Sequence, residues 1–192
     1  MSMMHCSLLS LGCVFGFAPA SDQPTLTALR ALKIAQRRLR PEVRAKLLSV
    51  ASARTDASLV PEAWRFVFLD QVTSGHSRVV TVAAKTSSEH PDTIEAFSAT
   101  KADDLDVLHA IAQNKLAIDS DKVLELARET TKLKGILSAE YRLAQPRSGR
   151  EPVWHLYFYG EAEEPIASFQ LGAKTGVKEM VDHGDKRVLS VA

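Results

Sequence analysis

Three short runs in this chain of 192 residues place side chains with chemical potential next to one another. Ser74-Gly75-His76-Ser77 sets hydroxyls beside an imidazole, the combination used in nucleophilic catalysis. Glu89-His90-Pro91-Asp92 flanks an imidazole with carboxylates, a set able to hold a divalent metal. Glu161-Ala162-Glu163-Glu164 gathers carboxylates, as acid–base work requires. All three fall at expected turns. A turn tip gives a nucleophile no rigid surroundings, a Pro-containing loop reads as a polar turn, and a solvated hairpin supplies no burial to shift a carboxyl pKa. His109, His155 and His183 complete no H-E-x-x-H pair, and the chain contains no G-x-S-x-G elbow, G-x-G-x-x-G turn or P-loop. The expectation is therefore no catalytic, cofactor-binding or metal-binding residue, and no cofactor. A hydrolase or other small-molecule enzyme with a dispersed site is the alternative, and a structural envelope protein a third. A concave pocket with converging polar groups would favour the enzyme.

The elements that would carry these runs follow from periodicity. Leu29, Leu32, Ile34, Ala35 and Leu39 fall near helical spacing, as do Val123, Leu124, Leu126, Ala127 and Leu133. Asp119 or Ser120 supplies an N-cap for the second helix, and Pro41 should end the first near Leu39. After each helix the period becomes two. Trp64, Phe66 and Phe68 alternate, as do Val80, Val82 and Ala84. Leu137, Ala139, Tyr141 and Leu143 do the same, followed by Trp154, Leu156, Phe158 and then Phe169, Leu171, Ala173. Alternation puts these side chains on one sheet face, with Arg65, His155 and Gln170 on the other.

The two sets are in the same order. "ALKIA" (31–35) matches "VLELA" (123–127), "LLS" (47–49) matches "ILS" (136–138), Trp64–Phe68 matches Trp154–Phe158, and "VVTVAAKTS" (79–87) matches "SFQLGAKTG" (168–176). Separations drift only from 92 to 89 residues, which reads as a duplicated unit. The expected fold is α+β: two tandem units, each a helix followed by three short antiparallel strands, in 25–90 and 118–192. Residues 91–117 form a linker whose Leu105, Leu108, Ala112 and Leu116 suggest a helix, and "HGDKRVLSVA" suggests a short final strand. Trp64 and Trp154 are expected as core anchors, not site residues.

"SLLSLGCVFGFAPA" (7–20) is uncharged and ends in Ala18-Pro19-Ala20, a small-x-small cleavage pattern. Residues 1–20 therefore read as a signal peptide cut after Ala20, giving a secreted or periplasmic protein without stable membrane insertion. A lipid anchor at Cys13 is the lesser alternative. Cys6 and Cys13 both lie in this segment, so the mature chain has no disulfide and no thiolate. The net charge of +1 exerts no global pull on nucleic acid. The local run "RRLRPEVRAK" (37–46) has no interleaved aromatics and reads as a solvated helix face.

At "QLGAKTGVKEM" (170–180) the chain resembles the PepSY family, whose cystatin-like unit is a helix followed by an antiparallel sheet closing on a strand that ends in Thr-Gly. The aromatic strands at Trp64 and Trp154 fit that pattern, whereas "VAAKTSSE" (82–89) departs from it, with Ser87 in place of Gly. The resemblance implies a non-catalytic, exported protein-binding module that inhibits or regulates a peptidase or another envelope protein.

Overall fold

The computed structural model of the chain describes residues 25–70, 76–84, 97–100, 109–130, 135–147, 149–182 and 187–191. Residues 1–20, read above as a signal peptide, the Glu89–Asp92 run and Ser74-Gly75 lie outside them, as do Leu105, Leu108, Leu133 and His183. Helix α1 is Ala28–Gln36, and the Thr27 hydroxyl accepts from the Arg30 N–H at its start. Ala28, Ala31, Leu32 and Ala35 are buried along one stripe. The helix stops three residues before the expected Leu39. Pro41 instead opens a separate short helix, α2 (Pro41–Arg44), at a position where its missing N–H costs nothing. Arg37, Arg38, Arg40 and Arg44 are exposed around this break, so the basic run covers a turn and a short helix. Helix α3, Ser120–Thr130, buries Ser120, Val123, Leu124 and Ala127, the α1 pattern 92 residues later.

The strands are β1 (Leu47–Ser52), β2 (Ala63–Asp70), β3 (His76–Ala83), β4 (Phe97–Thr100), β5 (Ser138–Ala144), β6 (Val153–Tyr159), β7 (Pro165–Gly172), β8 (Lys178–Asp182) and β9 (Arg187–Val191). They form one antiparallel sheet in the order β4-β3-β2-β1-β5-β6-β7-β8-β9. The fold is α+β and mostly sheet. Beyond the three strands expected of each unit, β4 follows β3 and β8 follows β7, whereas β9 falls within the run that suggested a short final strand. The described part of the linker differs from expectation too. Ala112 and Leu116 flank a one-turn 3₁₀ helix, Gln113–Lys115, rather than lying in an α-helix.

The sheet also corrects the matching of "LLS" with "ILS". Ser52 faces Trp64, while Leu143 faces Trp154. Counting back from these pairs, Leu137 falls before β5 and is 48% exposed. A register shift between Leu47 and Ser49 adds a residue to β1 that β5 lacks.

Alternation along the strands buries Trp64, Phe66, Phe68, Leu143, Trp154, Leu156, Phe158, Phe169 and Leu171 in a core shared with α1 and α3. Each such side chain contributes about 2–3 kcal/mol of apolar burial. The two tryptophans meet where β1 adjoins β5. Trp64 packs edge-on against Trp154 at 6.3 Å and against Tyr141 at 5.7 Å. Each indole N–H also reaches a backbone carbonyl just before a helix: Trp64 Nε1 donates to Leu26 O at 2.8 Å, and Trp154 Nε1 to Ile118 O at 3.0 Å.

Candidate interaction surface

Strand β6 carries two populations. Trp154, Leu156 and Phe158 enter the core, and Val153, His155, Tyr157 and Tyr159 stand half-buried on the opposite face. Pairing with β5 sets Glu140 opposite Tyr157 and Arg142 opposite His155. The Arg142 guanidinium grips Glu140 through Nε and Nη2, both 2.8 Å from Oε1. The other oxygen of Glu140 accepts from the Tyr159 hydroxyl at 3.1 Å. Arg142 lies 5.5 Å from the centre of the Tyr157 ring, and His155 stacks on that ring at 6.3 Å with 11° between planes. Arg54, just beyond β1, lies 3.9 Å over the Tyr159 ring and donates to Ser138 Oγ at 2.8 Å.

The electrostatics follow from this packing. Burial, and secondarily the Arg142 charge, holds His155 below the usual imidazole range. Burial and then the Glu140 carboxylate push the Tyr159 phenol up. The arrangement presents arginine, tyrosine and histidine on a sheet face, side chains suited to contact with a protein partner. In the first half the strand bearing Trp64 places Ala63, Arg65, Val67 and Leu69 at the corresponding positions, so the aromatic cluster belongs to the second half alone.

The remaining residues singled out from the sequence are dispersed. His76 and Ser77 lie within β3 rather than at a turn tip, and Ser77 is buried. Glu161, Glu163 and Glu164 are exposed between β6 and β7, and His109 is exposed before the 3₁₀ turn. Among the described residues no three His, Cys, Asp or Glu side chains gather to hold a metal. Also among them, no helix is long and apolar enough to cross a membrane.

The "GAKTG" run (172–176) has a local physical basis. The Glu151 carboxylate accepts from Lys174 N and Thr175 N, both at 3.0 Å, and from Thr175 Oγ at 2.6 Å. Burial works against its ionisation, but these donors and the Lys174 charge outweigh it and hold the carboxyl below its ordinary range. A Cβ on residue 172 would lie 2.6 Å from Glu151 Oε1, so glycine is what admits the carboxylate. Gly176 takes φ +73° to close the turn, and its N–H donates to Gly172 O at 2.9 Å. In the first half Pro61 and Ala83 occupy the places of Glu151 and Gly172, so the carboxylate and the residue that makes room for it are missing together.

Sequence reasoning assigned the aromatic strands to the core and passed over Tyr157 and Tyr159. Their signal was present in "VWHLYFY", where alternation alone sends His155, Tyr157 and Tyr159 to one face. Comparison with protein-family models, with curated proteins and with solved structures finds no match for this chain.

Proposed function

We propose that the chain is an exported, non-catalytic protein-binding module of two tandem, cystatin-like PepSY-type units. In this reading it inhibits or regulates a peptidase or another envelope protein, without a cofactor, after cleavage behind Ala20. Recurrent contacts support the tandem reading. The paired indole bonds to Leu26 and Ile118 are one. The bonds from Ala84 N to Glu62 O at 2.7 Å and from Ala173 N to Pro152 O at 2.8 Å are another. The observation that carries the binding reading is the surface of Arg54, Tyr159, Glu140, Arg142, Tyr157 and His155. Rigid aromatic rings, an Arg142 held by its ion pair with Glu140 and an Arg54 held by Ser138 and the Tyr159 ring give contact area at small entropic cost.

The test is affinity capture from the exported fraction with residues 21–192, read by mass spectrometry beside an Arg142→Ala/Tyr157→Ala variant. Recovery of a peptidase by the parent chain, its loss with the variant, and inhibition of its purified activity would support the proposal. Equal recovery by both chains would remove the role of this surface. Background proteins alone would overturn the stable-partner reading.

A further inference from the structure

An open cleft of about 620 Å³ lies between the β5–β6 connection and the turn joining β7 to β8. Its walls carry Lys115, Arg150, Lys174 and Lys178 against two carboxylates, Glu151 and Glu179. The two acids are not equivalent. Glu151 is turned onto the Lys174–Thr175 backbone and the Thr175 hydroxyl, which occupy its oxygens, and even with its charge counted the four cations outnumber the two carboxylates. Glu179 is exposed on β8, opposite Gln170. Lys115 is held in the wall by donating to Gly149 O at 3.1 Å and Arg150 O at 3.4 Å, neutral acceptors that leave its charge in place. The cleft is therefore cationic although the chain as a whole is nearly neutral.

We infer that this cleft binds an extended segment of a partner protein that carries carboxylates among apolar side chains. The inference rests on the protein-binding reading and specifies the partner chemistry at a second surface. Three observations favour a polypeptide over a small anion. The cations come from separate places: the 3₁₀ turn, the β5–β6 connection, the β7–β8 turn and β8. The backbone N–H groups that would cradle a phosphate already hold Glu151. The wall also includes Val177, 70% exposed, and Val153, apolar surface that an inorganic ion would leave uncovered. Opposed charge then sets orientation and speeds encounter, while the apolar contacts hold the segment.

The experiment uses residues 21–192 and a dye-labelled extended peptide of alternating glutamate and valine, followed by fluorescence anisotropy at low and physiological salt. Saturable binding that weakens with salt is expected. Lys174→Glu/Lys178→Glu should weaken it roughly tenfold or more, and Lys174→Gln/Lys178→Gln should weaken it less. Arg37→Glu/Arg38→Glu, at the basic run on the α1–α2 turn, should leave it unchanged. The inference is overturned if the peptide does not bind, or if a lysine–valine peptide binds equally. It is also overturned if the two charge reversals act alike, or if inorganic phosphate at constant ionic strength displaces the peptide. Loss of the cleft alongside intact Arg142- and Tyr157-dependent capture would remove this inference only. Loss of both would remove the binding reading itself.

Discussion

Tyr141 shows what a single polar atom does in this core. Its phenol is pushed up by burial and donates to Leu59 O at 2.8 Å, the carbonyl of a residue held at φ 61°. A branched side chain in that left-handed region is strained by about 1–2 kcal/mol, so the turn depends on such contacts. Tyr141→Phe should leave the carbonyl without its partner and lower stability by about 1–3 kcal/mol, measurable by urea denaturation. Glu151 makes a pH-dependent contribution. Its folded pKa lies below the ordinary carboxylate value, so its contribution is present above that value and is lost as pH falls through the depressed one. Amide exchange at Lys174 and Thr175, taken relative to its intrinsic rate at each pH, should therefore accelerate on acidification. Gly172→Ala, by crowding Glu151, should accelerate it already at neutral pH. His155, held low chiefly by burial and also by Arg142, favours its neutral form in the folded chain, which loses that contribution as pH falls below the ordinary imidazole value. An NMR titration should place its pKa below that of free histidine, and Arg142→Gln should raise it.

At the scale of elements, legibility depended on whether a local pattern carried the information. Helical spacing marked where α1 and α3 lie, and alternation marked β2, β3, β5, β6 and β7, because each buries one stripe or one face. In α1 only Leu32 and Ala35 of the residues it picked are buried, and Ala28 and Ala31 complete the stripe. Strand β4, Phe97–Thr100, is too short to show a period. The bulge in β1 was invisible for another reason: it exists only relative to β2, and no residue type requires it. The candidate surface divides the same way. His155, Tyr157 and Tyr159 share a face by alternation, but Glu140 and Arg142 join them only through the β5–β6 register, and Arg54 only through the adjacency of β1 and β5. The two indole bonds give this scale its own test. Trp64→Phe and Trp154→Phe each strip the partner from a carbonyl preceding a helix and remove core volume. If the halves are equivalent units, both variants should lose a similar amount, on the order of 2 kcal/mol.

Across the whole molecule, the junction of β1 and β5 determines whether the halves unfold together. Ser49, Val50 and Ala51 pair with Ala144, Leu143 and Arg142, and the pairing continues past β1, where Thr55 N donates to Ala139 O at 2.8 Å. The helices are tied as well. Asp119 Oδ1 accepts from Leu29 N and Ser120 Oγ from Ala28 N, both at 2.9 Å, so residues at the start of α3 satisfy free N–H groups at the start of α1. Beneath them Trp64 and Trp154 share one core. Duplicated chains whose halves touch only through a linker melt in two steps, but one continuous sheet with a common core should melt in one. In a Trp64→Phe background, Trp154 reports the second half alone, and Leu32→Ala removes core volume from α1 in the first. That truncation should cost about 2–5 kcal/mol. The midpoint reported by Trp154 fluorescence should fall by the same amount as the midpoint from far-UV circular dichroism. A Trp154 midpoint that stayed put while the circular dichroism transition split would mean that the β1–β5 pairing joins two units that fold independently.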